Sequence, residues 1–242
     1  MIMTFSKNLV QIGKALTGIF MTLSLIACGG GNYVEQADRS DVITLGDSIF
    51  DLSGDLQRFL EQEAGETFRD YTLSGAELKG GIVANSVYTQ YSDAKRTDGN
   101  INTIVMDGGG NDILIPAMIL DPYGCRTHWW RWNISSSCRN LINEQYINLV
   151  NLLNQMDSDG VQDIVYLGYY ELPRGNANLT KAVNYGDQKL GEACSNTTAS
   201  CQFVDPRGKI PASYVLSDNI HPTTEGSRVL ADLIWPKLQP LL

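Results

Sequence analysis

The 242-residue sequence holds only two histidines, His128 and His221, and its five cysteines include no C-x-x-C pair. A metal centre built from several histidines is therefore excluded, and so is a zinc knuckle. Basic residues are scarce too: 18 Lys and Arg stand against 27 Asp and Glu, a net charge of −9. No cation cluster of the kind that neutralises phosphates is present, which argues against a nucleic-acid partner. The same balance disfavours docking on anionic lipid by charge alone. What is present is globular composition, 43% hydrophobic, 9% aromatic and 19% charged, at a length suited to one domain.

The first segment reads as separate from the fold. Lys7 and Lys14 precede an apolar run, Ala15 to Ala27, that stops at Cys28 and Gly29-Gly30-Gly31. A basic start, a short apolar core and a small residue before the break describe a secretory signal over 1–27, and the run is short for a membrane span. Leu25-Ile26-Ala27-Cys28 resembles the bacterial lipoprotein processing box, which implies lipidation of Cys28, a membrane partner through that lipid, and a place in the cell envelope. Residues 28–40 then form a glycine-led tether without apolar periodicity. Four cysteines remain, an even set in an exported chain. Three pairings are open, and the two sequence-local ones, Cys125–Cys138 and Cys194–Cys201, are expected.

From residue 41 to 242 strands and helices alternate. Val42–Leu45, Phe68–Leu73, Ile101–Met106, Asp163–Tyr170 and Cys201–Val204 read as strands. Helical spacing covers Leu56 to Ala64 before Gly65, a weaker stretch between Gly81 and Tyr91, and Ile142 to Met156 before Gly160. A last helix around Val229–Ile234 is expected to stop near Trp235-Pro236. Ile115 to Asn140 shows no clear period and reads as an insertion. This alternation predicts an α/β fold: a mostly parallel five-stranded sheet between helical layers. In such sheets ligands bind beyond the carboxyl ends of the strands, so the residues just after each strand carry the functional question.

Gly46-Asp47-Ser48 follows the first strand, Ser74-Gly75 the second, Gly109-Gly110-Asn111-Asp112 the third, and Asp218-Asn219-Ile220-His221 precedes the last helix. Singly, each is an ordinary cap or turn. Together they supply a complete chemistry. A serine hydroxyl needs a base, and histidine is the base suited to neutral pH. The imidazole needs an acceptor on its other nitrogen, which Asp218 offers from the same turn. The oxyanion of a tetrahedral intermediate needs donors, for which the Ser48 amide, the Gly75 amide and the Asn111 side chain are candidates. With strands ordered 2-1-3, these loops are neighbours.

The four blocks, in this order, resemble those of the SGNH (GDSL) hydrolase family over residues 41 to about 235. That resemblance implies a flavodoxin-like three-layer α/β/α fold and hydrolysis of carboxylic esters or thioesters through an acyl-serine. It makes Ser48, Asp218 and His221 the catalytic triad and Ser48, Gly75 and Asn111 the oxyanion hole, with no metal or other cofactor. Gly80 and Gly81 compete with Gly75 for the second block. The pentapeptide Gly-x-Ser-x-Gly occurs nowhere, so an ordinary α/β-hydrolase nucleophile turn is disfavoured. Deacetylation of a polysaccharide or acyl transfer would use the same residues, and a ligand-binding envelope lipoprotein without turnover is the alternative from another class. For the esterase reading the expected partner is a small-molecule or lipid-like ester substrate.

Tyr123, Trp129, Trp130 and Trp132 crowd the insertion with Arg126, His128 and Arg131. The loop leaves the third strand just past Asn111, so it is expected to overhang the oxyanion hole as an aromatic wall for substrate, with Arg126 or Arg131 for an anionic group. A stapled satellite cluster is the competing reading. His128 has no aspartate at close spacing and reads as structural or substrate-contacting.

Overall fold

The computed structural model describes residues 37–81 and 83–242. The expected leader, Cys28 and the tether as far as residue 36 lie outside them. Five parallel strands, β1 (Arg39–Leu45), β2 (Phe68–Asp70), β3 (Thr103–Met106), β4 (Asp163–Leu167) and β5 (Cys201–Val204), form one sheet in the order β2-β1-β3-β4-β5. Among the described residues seven α-helices accompany them: α1 (Ser48–Asp51), α2 (Asp55–Ala64), α3 (Val87–Thr97), α4 (Gly110–Ile119), α5 (Ser136–Ser158), α6 (Thr180–Asn196) and α7 (Thr224–Leu238).

Side chains alternate across each strand, so the sheet builds a core on both faces. Ile43, Leu45, Ile104, Met106, Ile164 and Tyr166 pack with α3, α5 and α6. Val42, Val105, Val165 and Leu167 pack with α1, α2 and α7. This is the three-layer α/β/α arrangement with the strand order expected. Both sequence-local disulfides are formed, Cys125–Cys138 at the first turn of α5 and Cys194–Cys201 between α6 and β5. Paired cysteines of this kind point to folding outside the reducing cytoplasm. Among the described residues no helix is long and apolar enough to cross a membrane.

Several boundaries differ from expectation. β1 opens at Arg39, two residues into the expected tether, where Arg39 bonds Asp41 and the carbonyl of Leu242. β2 ends at Asp70 rather than Leu73, because the Asp70 carboxylate accepts from the Thr72 amide and hydroxyl and bends the chain. α3 begins at Val87, inside the stretch expected, where Ser86 caps the Thr89 amide at 3.3 Å, but it runs on past Tyr91 to Thr97. α7 runs through Pro236, which falls in the last turn and so forfeits only one hydrogen bond. Besides the four-residue α1, two longer helices were not expected. α4 carries a nearly unbroken apolar run with Pro116 inside it, and α6 buries Gly186 and Asp187 among its apolar positions. Each blurs the period by which a helix is read.

Candidate active site

β1 delivers the chain to Gly46, whose φ of +150° is held by reciprocal 2.8 Å hydrogen bonds between its peptide groups and the Gln90 side chain. A Cβ there would strike the Asp107 carboxylate. Asp47 then caps α1, accepting from the Ile49 amide at 3.0 Å, and Ser48 becomes the first helical residue. Its backbone N–H therefore has no helical acceptor and lies at the positive end of the helix.

His221 arrives from a turn before α7. The Leu216 amide donates to the His221 carbonyl at 2.8 Å, and Asn219 takes a φ of +61°. The Asp218 carboxylate receives the amides of Ile220 and His221 at 2.9 and 3.0 Å, while the Tyr170 hydroxyl donates to the Ile220 carbonyl. The turn so held presents His221 Nδ1 at 2.7 Å from Asp218 Oδ2 and Nε2 at 2.7 Å from Ser48 Oγ. Partial burial works to raise the Asp218 carboxyl, but the hydrogen bonds from the His221 ring and from the two amides outweigh it. Asp218 is thus held below the ordinary carboxylate range.

Side chains lace the neighbouring loops together. The Ser74 amide donates to Asp51 at 2.6 Å, Asn111 Nδ2 to the Ala76 carbonyl at 2.9 Å, and the Leu78 amide to Asp112 at 2.8 Å. Gly75 has a φ of +83°, which suits glycine, and its amide takes no acceptor among the described residues. Asn111 is the second residue of α4 and lines the same cavity as Ser48. One of its two amide hydrogens is engaged by Ala76, leaving the other for a ligand. Gly75 is not among that cavity's lining residues, and neither are its competitors Gly80 and Gly81.

Behind Ser48 lies a buried group of carboxyls that sequence reading did not single out as perturbed. Asp47 accepts from the Tyr169 hydroxyl at 2.7 Å, and its amide donates to Asp107 at 2.8 Å. Burial raises both acids. Asp107 goes further because the charge of Asp47 adds to desolvation, whereas Asp47 is helped by donors from Tyr169 and Ile49. Asp112 is pushed up to about 7, first by burial, against the bond from Leu78, with the charge of Glu77 adding to it. Tyr169 was missed altogether, although it stands at the end of β4, where strand-end logic applies. Its ring also packs on Gly110, where a Cβ would lie 2.6 Å from it.

The cavity beside Ser48, open to solvent at its mouth, is lined by Ile113, Leu114, Ile142, Val183, Leu190 and Ile220. Its polar edge is formed by residues such as Gln145 and Asn111. Trp129, Trp130, Trp132, Arg126 and His128 do not line it. The insertion leaves from the far end of α4, one helix length beyond Asn111, so its aromatics do not meet the wall position expected of them. Among the described residues no group of three or more His, Cys, Asp or Glu is placed to hold a metal ion.

No family model matches the chain, and no curated protein matches it. Solved structures do. A lipolytic protein of the G-D-S-L family from Veillonella parvula superposes with a TM-score of 0.56 at 16% identity, covering 83% of this chain and 98% of that one. The lipase Lip_vut3 from a goat rumen metagenome gives 0.59 at 15% identity, over 83% and 96%. A variant of Axe2, an acetyl xylan esterase from Geobacillus stearothermophilus, gives 0.55 at 12% identity, over 86% and 95%. At such identities the likeness establishes the fold, which is that of the SGNH hydrolases.

Proposed function

We propose that this protein is a serine hydrolase that cleaves carboxylic esters through an acyl-serine. The observation that carries the reading is the unbroken relay from Asp218 through His221 to Ser48, with both links at 2.7 Å. Neutral His221 takes the Ser48 proton on Nε2 as Oγ bonds to the ester carbonyl carbon. The oxyanion that forms is met by the Ser48 amide, the Gly75 amide and the free hydrogen of Asn111 Nδ2. Collapse breaks the bond to the alcohol oxygen, which leaves with the proton from His221. Water, deprotonated by the same imidazole, then releases the acid and restores Ser48. Asp218, held ionised, fixes the tautomer and stabilises the transient imidazolium.

The apolar cavity next to Asn111 supports an acyl group with an aliphatic chain, each buried methylene contributing about 0.8 kcal/mol. Neighbouring structures described as a lipase and as an acetyl xylan esterase support ester chemistry on this fold. The cell-envelope assignment belongs to the same proposal: export through residues 1–27 and lipidation of Cys28. A Cys28→Ser chain that still incorporates labelled palmitate would remove the lipid anchor.

Release of p-nitrophenol from p-nitrophenyl butyrate tests the catalytic reading. Turnover is expected from the native chain, unaffected by EDTA, and none above background from Ser48→Ala. Equal rates from the two chains would refute the assignment.

A further inference from the structure

The insertion ends in a feature the cavity does not use. His128 and Arg131 exchange two backbone hydrogen bonds of 2.9 Å, closing a two-residue hairpin whose tip is Trp129-Trp130. Cys125–Cys138 staples the base. Trp129 is 81% exposed, Trp130 65% and Trp132 76%. Beside Trp130, across a shallow depression, lie Ile119 and Leu120 from the end of α4, both exposed. Surface apolar groups gathered in this way mark a contact site.

We propose that this hairpin is a wedge that seats the protein on an anionic phospholipid bilayer. The two bonds between His128 and Arg131 pair the backbone at the neck of the hairpin, and the peptide groups of Trp129 and Trp130 at its tip are left to face the headgroup region, where water and phosphates can meet them. Tryptophan favours that boundary, its ring in the acyl region and its N–H among headgroups. The rim is basic in an otherwise acidic chain: residues 121–139 hold Arg126, Arg131 and Arg139 against Asp121 alone. The Arg126 guanidinium reaches the surface, where its Nη2 donates to the Met118 carbonyl at 3.3 Å, and it is placed to meet a headgroup phosphate. A polysaccharide fits less well. Trp129 and Trp130 stand edge-on at 88°, one face of Trp130 is stacked on His128 at 4.7 Å, and Ile119 and Leu120 offer a sugar nothing. The inference is independent of the ester chemistry.

The test uses the full chain, vesicles of phosphatidylcholine with 30% phosphatidylglycerol, and the same vesicles with brominated acyl chains. The four tryptophans are Trp129, Trp130, Trp132 and Trp235, so the apolar run 15–27 is silent in fluorescence. Brominated lipid is expected to quench about half of the emission, with a shift to shorter wavelength. Trp129→Ser with Trp130→Ser should abolish that quenching and lower partition about tenfold. Arg126→Gln should lower it about fivefold on anionic vesicles and leave pure phosphatidylcholine unchanged. Unfolding midpoints check that the variants fold, and the native-chain quenching stands without them. Vesicle binding without quenching, absence of binding, or a spectral shift produced by soluble xylan instead of lipid would each overturn the proposal.

Discussion

Asp112 lies between Asn111 and the apolar body of α4, 6% exposed, with its carboxyl pushed up to about 7 from an ordinary 3.8. Burial is the main cause, and the charge of Glu77 adds to it against the bond from the Leu78 amide. The folded chain therefore keeps a proton that the unfolded chain releases, and stability must fall as pH rises from about 4 to about 7. The full displacement converts to about 4 kcal/mol, an upper figure for a group that water partly reaches when the fold breathes. Asp112→Asn preserves the shape and an acceptor for the Leu78 amide but has no proton to lose. Above pH 7 it should be more stable than the native chain by about 2–4 kcal/mol, and at pH 4 the two should coincide. Urea unfolding midpoints at pH 4, 5.5, 7 and 8 supply the comparison. A difference that stays constant with pH, or a variant weaker than native at pH 8, would show that Asp112 is ionised in the folded state and that this reasoning fails.

Asp218→Asn should lower kcat about 10³-fold, because the amide cannot hold the imidazole in the tautomer that faces Ser48; a loss under tenfold would make Asp218 a bystander. Val183→Trp fills the cavity and should cut kcat/KM for octanoyl esters about 100-fold while sparing acetyl esters; equal losses would place the acyl chain elsewhere. Cys194→Ser with Cys201→Ser should cost about 2 kcal/mol of unfolding free energy, the loop-entropy value for a loop this short, read from denaturant midpoints.

How much of this was legible in the sequence depended on whether the signal was local. β1, β3 and β4 are buried on both faces, so their apolar runs stand out, and the disulfide pairs and the Gly46-Asp47-Ser48 and Asp218-to-His221 blocks sit in short contiguous stretches. α4 and α6 were opaque for opposite reasons. The first is apolar nearly all round, and the second hides Gly186 and Asp187 in its buried face so that Tyr169 can be received at its amide. Tyr169 and Gln90 act across 122 and 44 residues of chain, on Asp47 and Gly46 respectively, and nothing near them in sequence announces it. The insertion aromatics were visible but misplaced. Once Gly110–Ile119 forms a helix, the loop begins about 15 Å further along its axis than a direct exit from β3 would put it.

The central claim is that the Ser48 hydroxyl is chemically activated by His221. A fluorophosphonate probe followed by peptide mass spectrometry reads that directly. One adduct, on the peptide carrying Ser48, is expected in the native chain, with labelling lost in His221→Ala although the hydroxyl remains. Labelling of another serine, or labelling of Ser48 that persists undiminished in His221→Ala, would contradict the account.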